Sequence, residues 1–228
     1  MENSQVTLKH LGIIADGNRR WARERGLPTL EGHRKGLDSL EMLINEANKH
    51  KIPFVSFYIF STENWNRSEE EVSYLMRLLG DRIVPLSKKM QKNNVKLLIL
   101  GSRERVSAKL QQKLDDAVEL TKDCTGTTAC FCFNYGGELE LVDAFKKMQE
   151  DGSEITAESI RSHLYCPEVP NCDLIVRTSG EQRISGFMLW RAAYSEFLFM
   201  DKYFPGLEPS DMDYMLEEYS KRQRRFGK

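Results

Sequence analysis

The strongest constraint on how this chain folds is a recurrence. Short apolar runs, LGIIA (11–15), FVSFYIF (54–60), VKLLIL (95–100), ACFCF (129–133), DLIVRT (173–178) and EFLFM (196–200), alternate with amphipathic segments. Most runs are continuous rather than alternating, as strands buried on both faces are, so the pattern predicts a mostly parallel sheet of about six strands flanked by helices. Between the runs, Leu37, Leu40, Leu43, Ile44 and Ala47, and later Val106, Leu110, Leu114, Val118 and Leu120, recur at helical spacing. Ser68 with Glu71 is a capping-box pattern that opens a further helix. Gly80 and Pro85 interrupt that helix and predict a kink near Ile83 or a split.

No internal repeat, low-complexity tract or Pro/Gly/Ser linker divides the chain, so residues 1–228 read as one α/β domain. The formal net charge is −1. Any basic surface is therefore local, and a general nucleic-acid binder is not expected. MENSQVTLKH lacks an apolar signal core and no run approaches a membrane span, which predicts a cytoplasmic protein without a transmembrane segment. Five cysteines, an odd count without a C-x-x-C pair, read as reduced structural thiols; Cys130 and Cys132 share one strand face.

In open parallel sheets, ligands bind beyond the carboxyl ends of the strands. The polar clusters fall there. After the first strand stands Asp16-Gly17-Asn18-Arg19-Arg20-Trp21; after the second, Ser61-Thr62-Glu63-Asn64-Trp65-Asn66-Arg67; after the fifth, Arg177 to Ser185 with Arg183 and Ile184. Guanidinium groups beside hydroxyls and backbone donors are what a phosphate or diphosphate requires. Asp16 and Glu196, carboxylates at strand boundaries near these cations, suit Mg²⁺ completed by substrate phosphates. His33, beside Gly32 at a helix start, is placed to donate to a phosphate, whereas His10, His50 and His163 read as surface residues. Trp65 is expected in the site and Trp190 in the core or at its rim. Arg23 and Arg25 are expected to face solvent, and KRQRRFGK to be a solvated helix end first, and a basic patch toward a partner or membrane surface second. No P-loop, G-x-G-x-x-G after the first strand, or G-x-S-x-G elbow is present. The residues alone thus reach a magnesium-dependent, diphosphate-handling α/β enzyme.

HLGIIADGNRRWA, GHRKG (32–36), FYIFSTENWNR (57–67), FNYGG (133–137), DLIVRTSGEQRIS (173–185), FMLWRAAYSEF (187–197) and RRFG (224–227) together resemble the cis-prenyltransferases, the family of undecaprenyl diphosphate synthase. The resemblance covers nearly the whole chain. It implies a homodimeric α/β fold with a hydrophobic tunnel, which extends an allylic prenyl diphosphate with isopentenyl diphosphate through cis double bonds. The paired D-D-x-x-D motifs of the all-helical trans enzymes are missing; Asp115-Asp116 is followed by AVE.

Carried over by the resemblance, Asp16 is the essential carboxylate and a Mg²⁺ ligand, with Glu196 reaching the same metal. Gly17, Asn18, Arg19, Arg20 and His33 cradle the allylic diphosphate, with Trp21 beside them. Arg177, Arg183 and Ser185, with Ile184 between, hold the diphosphate of isopentenyl diphosphate. Ser61, Thr62, Glu63, Asn64, Trp65 and Arg67 border the reacting centre, Asn64 handling the departing proton. Three positions depart from the family pattern: Thr29 and Glu138 stand where arginines are usual, and Ser68 replaces a common proline. Ile59 is bulky where long-chain enzymes tend to be small, which predicts a short or medium product. Irregular coupling of two five-carbon diphosphates, and a non-catalytic subunit role, are the alternatives on the same fold.

Overall fold

The computed structural model describes residues 8–222. It contains six strands, β1 (His10–Ile14), β2 (Phe54–Ser61), β3 (Lys96–Leu100), β4 (Thr128–Tyr135), β5 (Leu174–Arg177) and β6 (Glu196–Phe199). Seven helices accompany them: α1 (Asn18–Glu24), α2 (Thr29–Lys49), α3 (Glu69–Lys92), α4 (Ala108–Thr121), α5 (Gly137–Asp151), α6 (Ala157–His163) and α7 (Pro209–Ser220). The strands form one sheet in the order β3-β4-β2-β1-β5-β6, and every pair is parallel. Burial on both faces explains the continuous apolar runs: every residue of β1 and β4 is buried.

The two faces are covered by different side chains. On one, Leu40, Leu43 and Ile44 of α2, Ile83 and Met90 of α3 and Leu114 of α4 pack on Leu11, Ile13, Phe57 and Phe131. On the other, Tyr58, Cys130, Cys132, Ile175 and Phe187 form a second core. The five cysteines are free thiols, and burial raises the pKa of Cys130, to about 12, and of Cys132 and Cys172, so these three stay protonated.

Two sequence expectations change here. Helix α3 runs unbroken from Glu69 to Lys92 with Pro85 inside it, so the expected split does not occur. Proline removes one backbone donor from the helix. Helix α4 packs beside this stretch, where the Lys113 ammonium donates to the Gly80 carbonyl at 2.6 Å. His10 is fully buried, not at the surface, with Nδ1 2.9 Å from the Pro170 carbonyl and Nε2 2.7 Å from Ser56 Oγ. A histidine opening an apolar run carries no sequence mark of burial; the neighbouring strands create it. KRQRRFGK lies largely outside the described residues.

The strand order also decides where chemistry can happen. From β1 the chain builds one half of the sheet through β2, β4 and β3, then returns to add β5 and β6 on the other side of β1. Strands β2, β1 and β5 are therefore adjacent at the reversal, and a crevice opens above their carboxyl ends. The three loops flagged in the sequence are those that leave these strands.

Candidate active site

Asp16 follows β1 and is held by the neighbouring strand. Its N–H donates to Thr178 Oγ1 at 3.0 Å, and the same hydroxyl donates to the Asp16 carbonyl at 2.7 Å. Gly17 then takes φ 97°, and a Cβ there would sit 2.6 Å from the Tyr203 ring, so only glycine makes this turn. A Cβ on Gly32 would stand 2.0 Å from the Asn18 carbonyl oxygen, so that glycine lets α2 approach the start of α1.

The turn aims the Asp16 carboxylate at three donors. Gly17 N–H donates to Oδ1 at 2.6 Å, Arg177 Nη2 to Oδ2 at 2.7 Å, and Arg20 Nη2 lies 3.5 Å from Oδ1. Burial opposes ionisation of Asp16, but the Arg177 hydrogen bond and charge, aided by Gly17 and Arg20, outweigh it and hold the carboxyl below its ordinary range. Arg177 is itself buried, and its Nη1 donates to the Arg183 carbonyl at 2.6 Å and to Ser185 Oγ at 2.9 Å. Its Nε is buried without a hydrogen-bond partner, a donor that an anion in the crevice would satisfy.

Opposite this group, Ser61 and Asn64 form a reciprocal capping box at the start of the short 3₁₀ helix Thr62–Asn66. The Asn64 amide oxygen accepts from Ser61 N–H at 3.1 Å, so Asn64 offers the crevice its N–H donors. Burial raises the Glu63 carboxyl, but hydrogen bonds from Ser61 and Thr62 outweigh it and keep it below its ordinary range. Nearer α2, His33 Nε2 stands 3.2 Å from Glu71 Oε1, and Arg67 Nη1 donates to the same oxygen at 2.9 Å. Burial, with the Arg67 charge, lowers the His33 pKa despite Glu71.

These side chains line three contiguous cavities. The largest, about 620 Å³, is bordered by Asp16, Asn18, His33, Ile59, Ser61, Thr62, Glu63, Asn64, Arg67, Arg177 and Ser185, with Glu138 at its edge. A second, of about 330 Å³, is cationic: Arg19, Arg20, Arg23 and Arg67 surround Asp16, Gly17, Asn18 and His33. A third, of about 70 Å³, is apolar, walled by Leu37, Leu40, Ile59, Phe60, Leu75, Leu79, Phe133 and Phe204. Ala15, Asn18 and His33 border all three. Ile59 alternates with Phe57 and so faces the α2/α3 side and the cavities there, and β2 then loses register with β4 between Tyr58 and Phe60. Such a bulge sets consecutive side chains toward one face, and Ile59 and Phe60 both pack toward the α2/α3 side.

Other expected residues stand elsewhere. Trp65 lines none of the three cavities: its Nε1 donates to Asn134 Oδ1 at 2.7 Å, Phe60 packs edge-on at 5.2 Å, and the Arg105 guanidinium lies 4.3 Å above its ring. It braces the 3₁₀ turn. Trp21 lies under Arg25 at 4.6 Å and against Gly206, and Ile184 packs into the second core. The Arg183 guanidinium pairs with Glu181 and is largely exposed; its carbonyl, not its charge, meets Arg177. Glu196 opens β6, in register with Leu174 and three residues short of Arg177's level, and it pairs with Arg222 at 3.2 Å. Parallel pairing thus sets it toward the amino ends of the strands, so one chain does not join Glu196 to Asp16.

Sequence reasoning missed several members. Arg23 is exposed, as expected, and also borders the cationic cavity, while Thr29 lines none of the three. Ser179 accepts from Arg20 Nη2 at 2.6 Å, and Glu181 bridges Arg20 and Arg183. Glu71 was absorbed into the capping pattern; Ser68 Oγ does accept its N–H at 3.3 Å, but its carboxylate turns into the site. Arg23 and Glu71 do carry a helical-spacing mark, four residues beyond Arg19 and Arg67 respectively. Among the described residues no group of three or more His, Cys, Asp or Glu could hold a metal ion. A hard cation that keeps few protein ligands and is completed by phosphate oxygens still fits the ionised Asp16.

The undecaprenyl diphosphate synthase family model matches residues 14–227. The isoprenyl transferase of Rickettsia bellii is 44% identical over 224 residues, 98% of this chain and 99% of that one. That of Neisseria gonorrhoeae is 40% identical over 221 residues, 96% of this chain and 89% of that one. Among solved structures, lavandulyl diphosphate synthase from Lavandula x intermedia, in complex with dimethylallyl diphosphate, superposes with a TM-score of 0.93 at 32% identity, covering 99% of this chain and 100% of that one. A probable undecaprenyl diphosphate synthase from Campylobacter jejuni gives 0.84 at 30% identity, covering 97% and 99%. With nearly its whole length matched at these identities and three polar loops converged over one crevice, the chain belongs to the undecaprenyl diphosphate synthase family of isoprenyl transferases.

Proposed function

We propose that this protein condenses isopentenyl diphosphate with an allylic prenyl diphosphate, with Mg²⁺, to a short or medium product with cis double bonds. The observation that carries the reading is the junction at Ala15, Asn18 and His33, where a cation-lined cavity opens directly onto an apolar one. A molecule with a charged head and a hydrocarbon tail matches that junction, and little else does.

In this reading Arg19, Arg20, Arg23 and Arg67 hold the allylic diphosphate, and Arg177 with Ser185 holds that of isopentenyl diphosphate. The allylic carbon–oxygen bond breaks, the isopentenyl double bond supplies the electron pair for the new carbon–carbon bond, and a proton leaves. The preplaced cations stabilise charge as it develops on the leaving diphosphate. The departing diphosphate is the base formed in the crevice, and Asn64 orients the acceptor through its N–H donors. Mg²⁺, when bound at Asp16 and the phosphates, adds Lewis-acid neutralisation of that charge. Holding both substrates in one crevice supplies proximity.

A homodimer is part of the reading. It is supported by the exposed edge strand β6, where Phe197 and Phe199 stack at 6.2 Å beside exposed Tyr194. A cytoplasmic site of action is proposed as well; among the described residues no helix is long and apolar enough to cross a membrane. Peripheral contact with a membrane would serve release of a lipid product.

The test is mass spectrometry of products from five-, ten-, fifteen- and twenty-carbon allylic primers with isopentenyl diphosphate, with Mg²⁺ and after chelation. Isopentenyl incorporation that needs both the metal and Asp16 is expected; no incorporation by the purified chain would sink the reading. The narrow apolar cavity and the close superposition on lavandulyl diphosphate synthase favour one second reading, irregular coupling of two five-carbon diphosphates. A branched ten-carbon product from dimethylallyl diphosphate alone would select it.

A further inference from the structure

Behind Arg19, His33 and Arg67 of the cationic cavity lies one buried carboxylate that no substrate role explains. Glu71 lies in the first turn of α3, and its side chain is about nine-tenths buried. Three groups from three other elements converge on it. His33 of α2 stands 3.2 Å from Oε1, Arg67 from the loop before α3 donates to Oε1 at 2.9 Å, and Arg19 of α1 lies 3.8 Å from Oε2. We propose that Glu71 is the positioning residue of the allylic diphosphate seat, fixing Arg67, His33 and Arg19 in one arrangement before substrate arrives.

The physical case turns on opposed signs. Arg19, Arg20, Arg23 and Arg67 border one small cavity, and their mutual repulsion favours spreading into solvent. Long arginine side chains also lose rotamer freedom when held. A buried carboxylate shared between Arg67 and His33 counters both effects at the cost of one negative charge near an anionic ligand. If Glu71 acted only through its field, neutralising it would tighten diphosphate binding. If it positions the cations, neutralising it weakens binding, because the donors no longer meet the phosphate oxygens together. Asp16 and Glu181 stand against Arg20 and Arg177 or Arg183, so neither replaces Glu71 on the Arg67 side.

This inference rests on the proposed function for the identity of the ligand, and a binding measurement separates the two. Dimethylallyl diphosphate with Mg²⁺ is titrated calorimetrically into the full chain and into Glu71→Gln, with melting temperature as the check on folding. The expected result is a Kd raised about tenfold in Glu71→Gln, the weight of one charge-assisted hydrogen bond. The KM for the allylic substrate should rise in parallel and kcat should fall, because the same arginines meet the leaving diphosphate, while the KM for isopentenyl diphosphate stays within about twofold. Glu71→Asp keeps the charge but withdraws it by one methylene, and should fall between the two. Unchanged or tighter binding by folded Glu71→Gln overturns the proposal, as does wild-type binding by Glu71→Asp should Glu71→Gln not fold. Wild-type binding without turnover would overturn the proposed reaction and leave this test standing.

Discussion

Asp16 is the residue on which the site turns, and its setting explains why one carboxylate suffices. It is ionised beside Arg177 and Arg20, at the end of a buried strand, with its backbone locked to Thr178. Asp16→Asn preserves the shape and removes the charge that a metal needs. The expected loss is about 10²–10³ in kcat, read in the isopentenyl incorporation assay, with the fold intact by circular dichroism. Retention of more than a tenth of the activity would contradict its role. Asp16, Arg20, Arg67 and Arg177 were legible in the sequence because charged residues following apolar runs mark strand ends. Ser179 was not, because its partner Arg20 lies 159 positions away, and Glu71 showed only its spacing from Arg67, not His33 38 positions away.

At the scale of elements, β2 shows how a strand end shapes a wall. Alternation with Phe57 sets Ile59 in the wall shared by the polar and apolar cavities, and the register shift after Tyr58 adds Phe60 to the apolar one. Alternation alone does not reveal which face meets a cavity, so the sequence marked Ile59 only through the family resemblance. Ile59→Ala trims the wall of a cavity of about 70 Å³, and the product is expected to lengthen by at least one five-carbon unit. Mass spectrometry of wild-type and variant products reads this directly; equal lengths would exclude Ile59 from length control. Helix α3 gives the converse lesson. Gly80 and Pro85 predicted a kink or a split, and the helix, packed beside α4, is not split.

For the whole molecule, burial of His10 makes stability depend on pH. Burial lowers its pKa from 6.5 to about 4, so the folded chain refuses a proton that the unfolded chain accepts. Above pH 6.5 neither state is charged there and nothing changes. As pH falls from 6.5 towards 4, stability is lost progressively, by about 3 kcal/mol in all, and below 4 the loss from this group saturates. Denaturant unfolding of wild type and His10→Gln across this range should show the steeper fall only in wild type. Parallel slopes would show that His10 does not titrate this way.

What the sequence by itself determined is the six strands, the helices α2, α3 and α4, and the three loops that carry cations, because apolar period and chain order are local properties. Tertiary structure alone decided which loops meet. The order β2-β1-β5 placed three of them over one crevice, buried His10, and carried Trp65, Trp21 and the Arg183 guanidinium out of the cavities their neighbours line. It also set Glu196 at the amino end of β6, away from Asp16. The physical reason is that strand pairing is chosen among segments distant in the chain, and only that choice converts a residue's place along a strand into a place in space.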